Sequence, residues 1–121
     1  MSEHLKIRSF DSPDEVRPFA DKGGASIVHV GDATVGLLTF EPGWRWSTHV
    51  KPIAGSAACE THHLGYVLSG RMQIEMLDGT SGEIGPGNVV EILPGHDAWV
   101  VGNERCLFVD FGALATYARR A

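Results

Sequence analysis

Residues 65–101 read GYVLSGRMQIEMLDGTSGEIGPGNVVEILPGHDAWVV. Apolar and polar residues alternate there in short runs, cut by Asp78-Gly79, Gly85-Pro86-Gly87 and Pro94-Gly95. Successive side chains of a strand point to opposite faces, so such runs read as half-buried strands. Asp-Gly between two of them is a hairpin signal. Strands are expected at 58–68, 71–77, 81–84, 88–93, 97–101 and 105–111. His62 and His63 precede this stretch, and His96 stands at its last turn. Histidines at strand ends of a short all-β chain point to a metal or ligand pocket inside a barrel.

Working outward, Ser26–Val30 and Thr34–Glu41 read as two more strands around the Gly31-Asp32 turn. Pro42-Gly43 turns the chain into Trp44–His49. Residues 50–57, VKPIAGSA, read as a loop because Pro, Gly and small residues break any period. Upstream, Ser12, Pro13 and Glu15 form the pattern of a capped helix start, so a short helix is expected over 12–19, ended by Pro18. A second short helix is expected over 113–120. About nine strands without crossover helices argue for an antiparallel sandwich or closed barrel.

The chain has 121 residues, enough for one domain with one core. We expect a single domain over 1–121, with residues 1–30 as an N-terminal extension carrying the helix and an edge strand, and 36–111 as the barrel. Its 43% hydrophobic and 21% charged content is that of a globular protein. A net charge of -5 argues against a nucleic-acid partner, since phosphate binding needs a basic face. No apolar run is long enough to span a bilayer. The stretch MSEHLKIRSFDSPDEV lacks the apolar core of a signal peptide, so a cytoplasmic location is expected. Cys59 and Cys106 are too few for a disulfide framework and are expected to be reduced.

With these residues in view, the chain resembles the cupin superfamily over roughly 36–111. Pro42-Gly43 followed by His49 resembles the opening of the first cupin motif, and Tyr66-Val67-Leu68-Ser69-Gly70 its end. Gly87-Asn88-Val89-Val90-Glu91-Ile92-Leu93-Pro94-Gly95 resembles the second, with the proline shifted by one place. The resemblance implies an all-β, cupin-like double-stranded β-helix or jelly-roll barrel with a short N-terminal helix. It also implies a divalent metal held by histidines and a glutamate.

The metal-binding letters depart from that pattern. The residue that should be the glutamate, counted back from Gly70, is His63. The His-x-His pair counted from there falls on Ala57 and Cys59, but counted forward from Pro42-Gly43 it falls on His49 and Lys51. The two counts disagree, which implies an insertion around 51–58. In the second motif the ligand position is Ala98, and the nearest histidine is His96.

His63 is nevertheless the best candidate ligand. If it faces inward, so do Cys59, Thr61 and Gly65, while His62, Leu64 and Tyr66 face outward. His49 and His96 are the next candidates, and Cys59 would complete a softer site. Three imidazoles can hold a divalent transition metal and leave one position open; Zn, Fe, Ni, Mn and Cu all remain. The bland alternative is a polar pocket lined by histidines. Trp44, Trp46 and Trp99 are candidate rim residues of a ligand pocket; their alternative is packing between sheets or across an interface. Asp97 beside His96 is a candidate pocket residue that could orient the imidazole, or a turn residue.

The expected function is binding of a divalent metal and a small polar molecule in the barrel. Metal-dependent oxygenation, isomerisation or hydrolysis is what the resemblance implies, and a non-catalytic binding or sensor module is the alternative. A catalytic residue is not assigned. A homodimer is expected, because open-edged sheets commonly bury an edge or apolar face in a two-fold interface.

Overall fold

The computed structural model describes residues 4–56 and 58–111. The helix expected over 113–120 lies outside them. Nine strands occur among the described residues: β1 Glu15–Pro18, β2 Gly23–Val30, β3 Ala33–Phe40, β4 His63–Ser69, β5 Met72–Met76, β6 Ser81–Ile84, β7 Val89–Ile92, β8 His96–Val100 and β9 Cys106–Asp110. They form a six-stranded sheet in the order β1-β2-β3-β9-β4-β7 and a three-stranded sheet in the order β6-β5-β8. Every pairing is antiparallel. The two sheets face each other across a core that includes Ile27, Leu38, Val67, Ile74 and Phe108.

The alternation read from the sequence is the alternation of burial. Along β4, His63, Gly65 and Val67 are buried and Leu64, Tyr66 and Leu68 exposed. Along β8 it is His96, Ala98 and Val100 that point inward. The Asp78-Gly79 turn joins β5 to β6 as a hairpin, with Gly79 at φ 93°. That positive φ is the reason a glycine stands there.

The N-terminal helix expected over 12–19 does not form. β1 takes its place, as an edge strand paired from Glu15↔Ile27 to Pro18↔Gly24. Asp14, read as part of a first helical turn, instead accepts the backbone N–H of His29 and pairs with Arg8. Its own N–H donates to the carbonyl of Ile27. These long-range bonds satisfy the groups that a capping box would have satisfied locally, so tertiary pairing overrides the local signal. Pro18 is tolerated because it closes an edge strand.

Residues 50–57 are also not a plain loop. Two helical turns, α1 Trp46–His49 and α2 Lys51–Ala54, occupy this region. Val50 between them is fully buried, which ties the turns to the core. Pro52 sits in the first turn of α2, and Gly55 ends it at φ 77°. These helical turns lie where the two counts from the sequence disagree. Among the described residues no helix is long and apolar enough to cross a membrane.

Candidate functional site

Cys59, His63 and His96 converge on the inner face of the barrel, all buried. One ligand atom from each lies within 4.8 Å of the other two. Backbone pairing explains the convergence. Cys59 and His96 form an isolated antiparallel bridge, with Cys59 N–H donating to His96 O at 2.7 Å. Directly opposed residues present their side chains on the same face. The chain then passes through Glu60–His62 and enters β4 with His63 pointing inward. Cys59 Sγ ends 3.7 Å from His63 Nε2. The two imidazoles meet edge to face, with ring centroids 5.4 Å apart.

Each imidazole is oriented through its other nitrogen. His63 Nδ1 donates to Asp110 Oδ2 at 2.5 Å. His96 Nδ1 donates to the carbonyl of Leu93 at 2.7 Å. A carbonyl only accepts, so in neutral His96 the proton sits on Nδ1 and the Nε2 lone pair is free to ligate. Such outer partners are what orient metal-binding histidines.

Asp110 is fully buried. In the sheet it stands between Gly36 of β3 and Gly65 of β4. Gly65 has no room for more: a Cβ there would lie 2.1 Å from Val109 O and 2.6 Å from the Phe108 ring. With no side chain opposite it, the Asp110 carboxylate reaches diagonally to His63.

The electrostatics follow from this arrangement. Burial favours the neutral thiol of Cys59, but hydrogen bonds with His63 and His96 outweigh it and hold the pKa at about 6. Burial also disfavours a charged His63, yet Asp110, and behind it Cys59, raise its pKa to about 9. Both shifts favour charge separation in the metal-free pair, with the proton on His63 and not on Cys59. Cys106 shows the contrast: buried with no such donor beside it, its thiol is pushed up to about 11, helped by Glu104.

The cluster opens on a cavity of about 30 Å³. Its walls are apolar (Leu38, Phe40, Met72, Ile74, Ile92 and Phe108 among them) apart from His63, His96, Trp44 and Trp46. Ile74, Ile84 and Ile92 also line a larger groove of about 450 Å³ between β6 and β7. These two strands are sheet edges and do not pair with each other. The three isoleucines border both the inner cavity and the groove.

The remaining sequence candidates fall into two groups. Trp44 and Trp46 line the cavity, and both indole Nε1 donors are buried with no hydrogen-bond partner among the described residues. An unsatisfied buried donor costs about 1–3 kcal/mol. Trp99 faces the opposite way, beneath the Arg45 guanidinium at 4.3 Å from its ring centroid. The Asp97 carboxylate bonds elsewhere than to the His96 ring. It accepts the N–H of Ser47 and the Nε–H of Arg45, fastening α1 to β8. His49 stands apart from the cluster: its Nδ1 is 3.0 Å from the Arg45 backbone N–H, which it accepts. The single helical turn of 46–49 carries it away from the inner face that the strand-based count assumed.

Asp110 is the residue that sequence reasoning passed over. The strand read at 105–111 places Cys106, Phe108 and Asp110 on one face, and a carboxylate on that apolar face was the available signal.

No family model matches the chain, and no curated protein matches it. Solved structures do. An uncharacterized conserved protein with a double-stranded β-helix domain from Klebsiella pneumoniae is 21% identical with a TM-score of 0.57, over 93% of this chain and 91% of that one. An RmlC-like cupin from Shewanella frigidimarina is 13% identical with a TM-score of 0.56, over 90% and 95%. A protein of unknown function from Rhizobium leguminosarum is 20% identical with a TM-score of 0.55, over 89% and 99%. The chain has the double-stranded β-helix fold of the cupins.

Proposed function

We propose that Cys59, His63 and His96 hold one divalent transition metal and that the protein acts on, or binds, a small polar molecule beside it. The observation that carries this reading is the convergence of three buried ligand atoms with an acceptor behind each imidazole. The spacing fits. Tetrahedral zinc with metal–sulfur near 2.3 Å and metal–nitrogen near 2.0–2.1 Å needs ligand atoms roughly 3.5 Å apart, and Cys59 Sγ and His63 Nε2 are 3.7 Å apart.

A thiolate ligand moves the preference away from manganese, which suits oxygen donors, and toward zinc, iron, copper or nickel. We take zinc as the reference ion. When bound, it would supply Lewis acidity to an oxygen atom of the ligand. The chain's own residues would do the rest. Asp110 holds the His63 ring and its proton. Leu93 O fixes the His96 tautomer. Ile74, Ile84 and Ile92 supply an apolar border to the cavity.

A second reading rests on a different feature of the same residues. Asp110, His63 and Cys59 form a carboxylate–imidazole–thiol series, the order found where a thiolate serves as nucleophile. Elemental analysis of untagged protein separates the two. Near-stoichiometric metal in the parent, lost in His63→Ala, supports the metal centre. Metal-free parent protein whose Cys59 is rapidly alkylated by iodoacetamide overturns it in favour of the thiolate.

The homodimer belongs to this proposal. Leu64, Tyr66 and Leu68 of β4 and Val89 of β7 are exposed on the outer face of the large sheet, with Tyr66 opposite Val89. Apolar patches of this kind mark interaction surfaces. A dimer that Tyr66→Glu dissociates is expected in sedimentation; a monomeric parent at micromolar concentration contradicts it.

A further inference from the structure

β6 and β7 are end strands of different sheets, and the groove of about 450 Å³ lies between them. Its apolar surface includes Ile84, Val90, Ile92 and Leu93. Leu93 is 55% exposed, and the groove side of β7 has no strand partner among the described residues. The charged residues that line the groove are Asp78, Glu83 and Glu91, all carboxylates. Arg71 pairs with Glu83 and His62 with Glu91. These groups together stay negative even with the imidazole charged. An apolar floor with an anionic rim fits a chain segment that combines apolar side chains with cations. Residues 112–121, GALATYARRA, are such a segment and lie outside the described ones. Leu114 and Tyr117 are its large apolar residues, and Arg119 and Arg120 its charged ones.

We propose that residues 112–121 dock in the β6–β7 groove of their own chain, with Leu114 and Tyr117 on its apolar floor and Arg119 and Arg120 at its carboxylate rim. The place where the segment starts allows this. Phe111 donates its backbone N–H to Leu64 O, and Leu64 pairs with Glu91. The chain therefore leaves β9 two strands from β7 and level with Glu91, one of the groove's own carboxylates. Two strand spacings are about 10 Å, whereas residues 112–121 fully extended reach about 33 Å. Tethering favours this segment over a free partner, since a short linker gives an effective concentration on the order of millimolar. Ile84 and Ile92 also line the inner cavity, so the docked segment would cover residues that flank the candidate metal site. The docking itself does not depend on a metal being bound there.

The test is nuclear Overhauser spectroscopy of the full chain with assigned isoleucine, leucine and tyrosine signals. Contacts from the Tyr117 ring or the Leu114 methyls to the methyls of Ile84 and Ile92 are the expected result. A sample mixing labelled with unlabelled chains, filtered for contacts between them, decides whose segment fills the groove. No such contact is expected there; contacts seen only between chains overturn the proposal in favour of a second copy. Arg119→Glu combined with Arg120→Glu keeps the apolar residues and reverses the charges. The contacts should then weaken roughly five- to tenfold, and undiminished contacts overturn the charge pairing. A parent chain with no contact between residues 112–121 and the groove overturns the docking outright and leaves the groove to a separate partner.

Discussion

Asp110 faces Gly65 across the β4–β9 pairing, and the empty position at Gly65 lets its carboxylate reach His63. The glycine thereby serves the site without touching a ligand. Gly65→Ala would set a Cβ against Val109 O and the Phe108 ring, both part of the packed sheet. We expect a loss of at least about 1–3 kcal/mol of stability in urea unfolding, as for overpacked cores. We also expect weaker metal binding than the stability loss alone would give, because the displaced residues, Phe108 and Val109, directly precede Asp110 on β9.

Asp110→Asn tests the carboxylate with little change of volume. Removing the outer partner of a ligating histidine typically costs 10–100-fold in metal affinity. That loss, read by competition with a chromophoric chelator on a folded variant, is the expected outcome. Unchanged affinity would mean that Asp110 serves only packing.

The pH dependence of metal uptake follows from the two shifted groups. Cys59, held down to about 6, is already ionised at neutral pH and has no proton to give. His63, raised to about 9, must release one. Affinity should therefore rise on the order of tenfold per pH unit from neutrality to about pH 9, with one proton released per metal, and flatten above. For the metal-free protein, the lowered Cys59 pKa stabilises the fold above pH 9, and this is lost as pH falls to about 6. The raised His63 pKa stabilises it below pH 6.5, and this is lost as pH rises through about 9. The two trends oppose, so the pair should leave thermal stability nearly flat over this window. His63→Ala removes one of the donors that hold the thiolate, and the ultraviolet thiolate transition should move up toward ordinary thiol values.

Asp97 supplies a counter-test at a residue the sequence marked as a pocket candidate. It caps the second residue of α1 from β8, through the Ser47 N–H, and pairs with Arg45. Asp97→Ala should cost about 1 kcal/mol, the usual value of a lost helix cap, and leave metal content unchanged. Loss of metal in this variant would return Asp97 to the site.

The barrel was legible because its signals are local. Strand alternation, Asp78-Gly79 and Gly85-Pro86-Gly87 act within a few residues, and no distant contact reverses them. The orientation of His63, Cys59 and Gly65 came from the same period. The N-terminal strand was not legible, since Ser12, Pro13 and Glu15 carry a real helix-start pattern that loses only to pairing with β2. The buried Cys59–His63–His96 cluster was half legible. His63, His96 and Cys59 could be named as candidates, but nothing in the spacing showed that a helical turn would remove His49 or that the bridge Cys59↔His96 would bring in the thiol. Asp110 required knowing that β9 lies beside β4, which is topology rather than pattern.

The central claim is a metal centre with one sulfur and two nitrogen ligands from the chain. X-ray absorption at the zinc edge of the loaded protein tests it most directly. The account predicts one sulfur near 2.3 Å with nitrogens near 2.0–2.1 Å, the sulfur vanishing in Cys59→Ser. A shell of oxygen and nitrogen alone in the parent would contradict it.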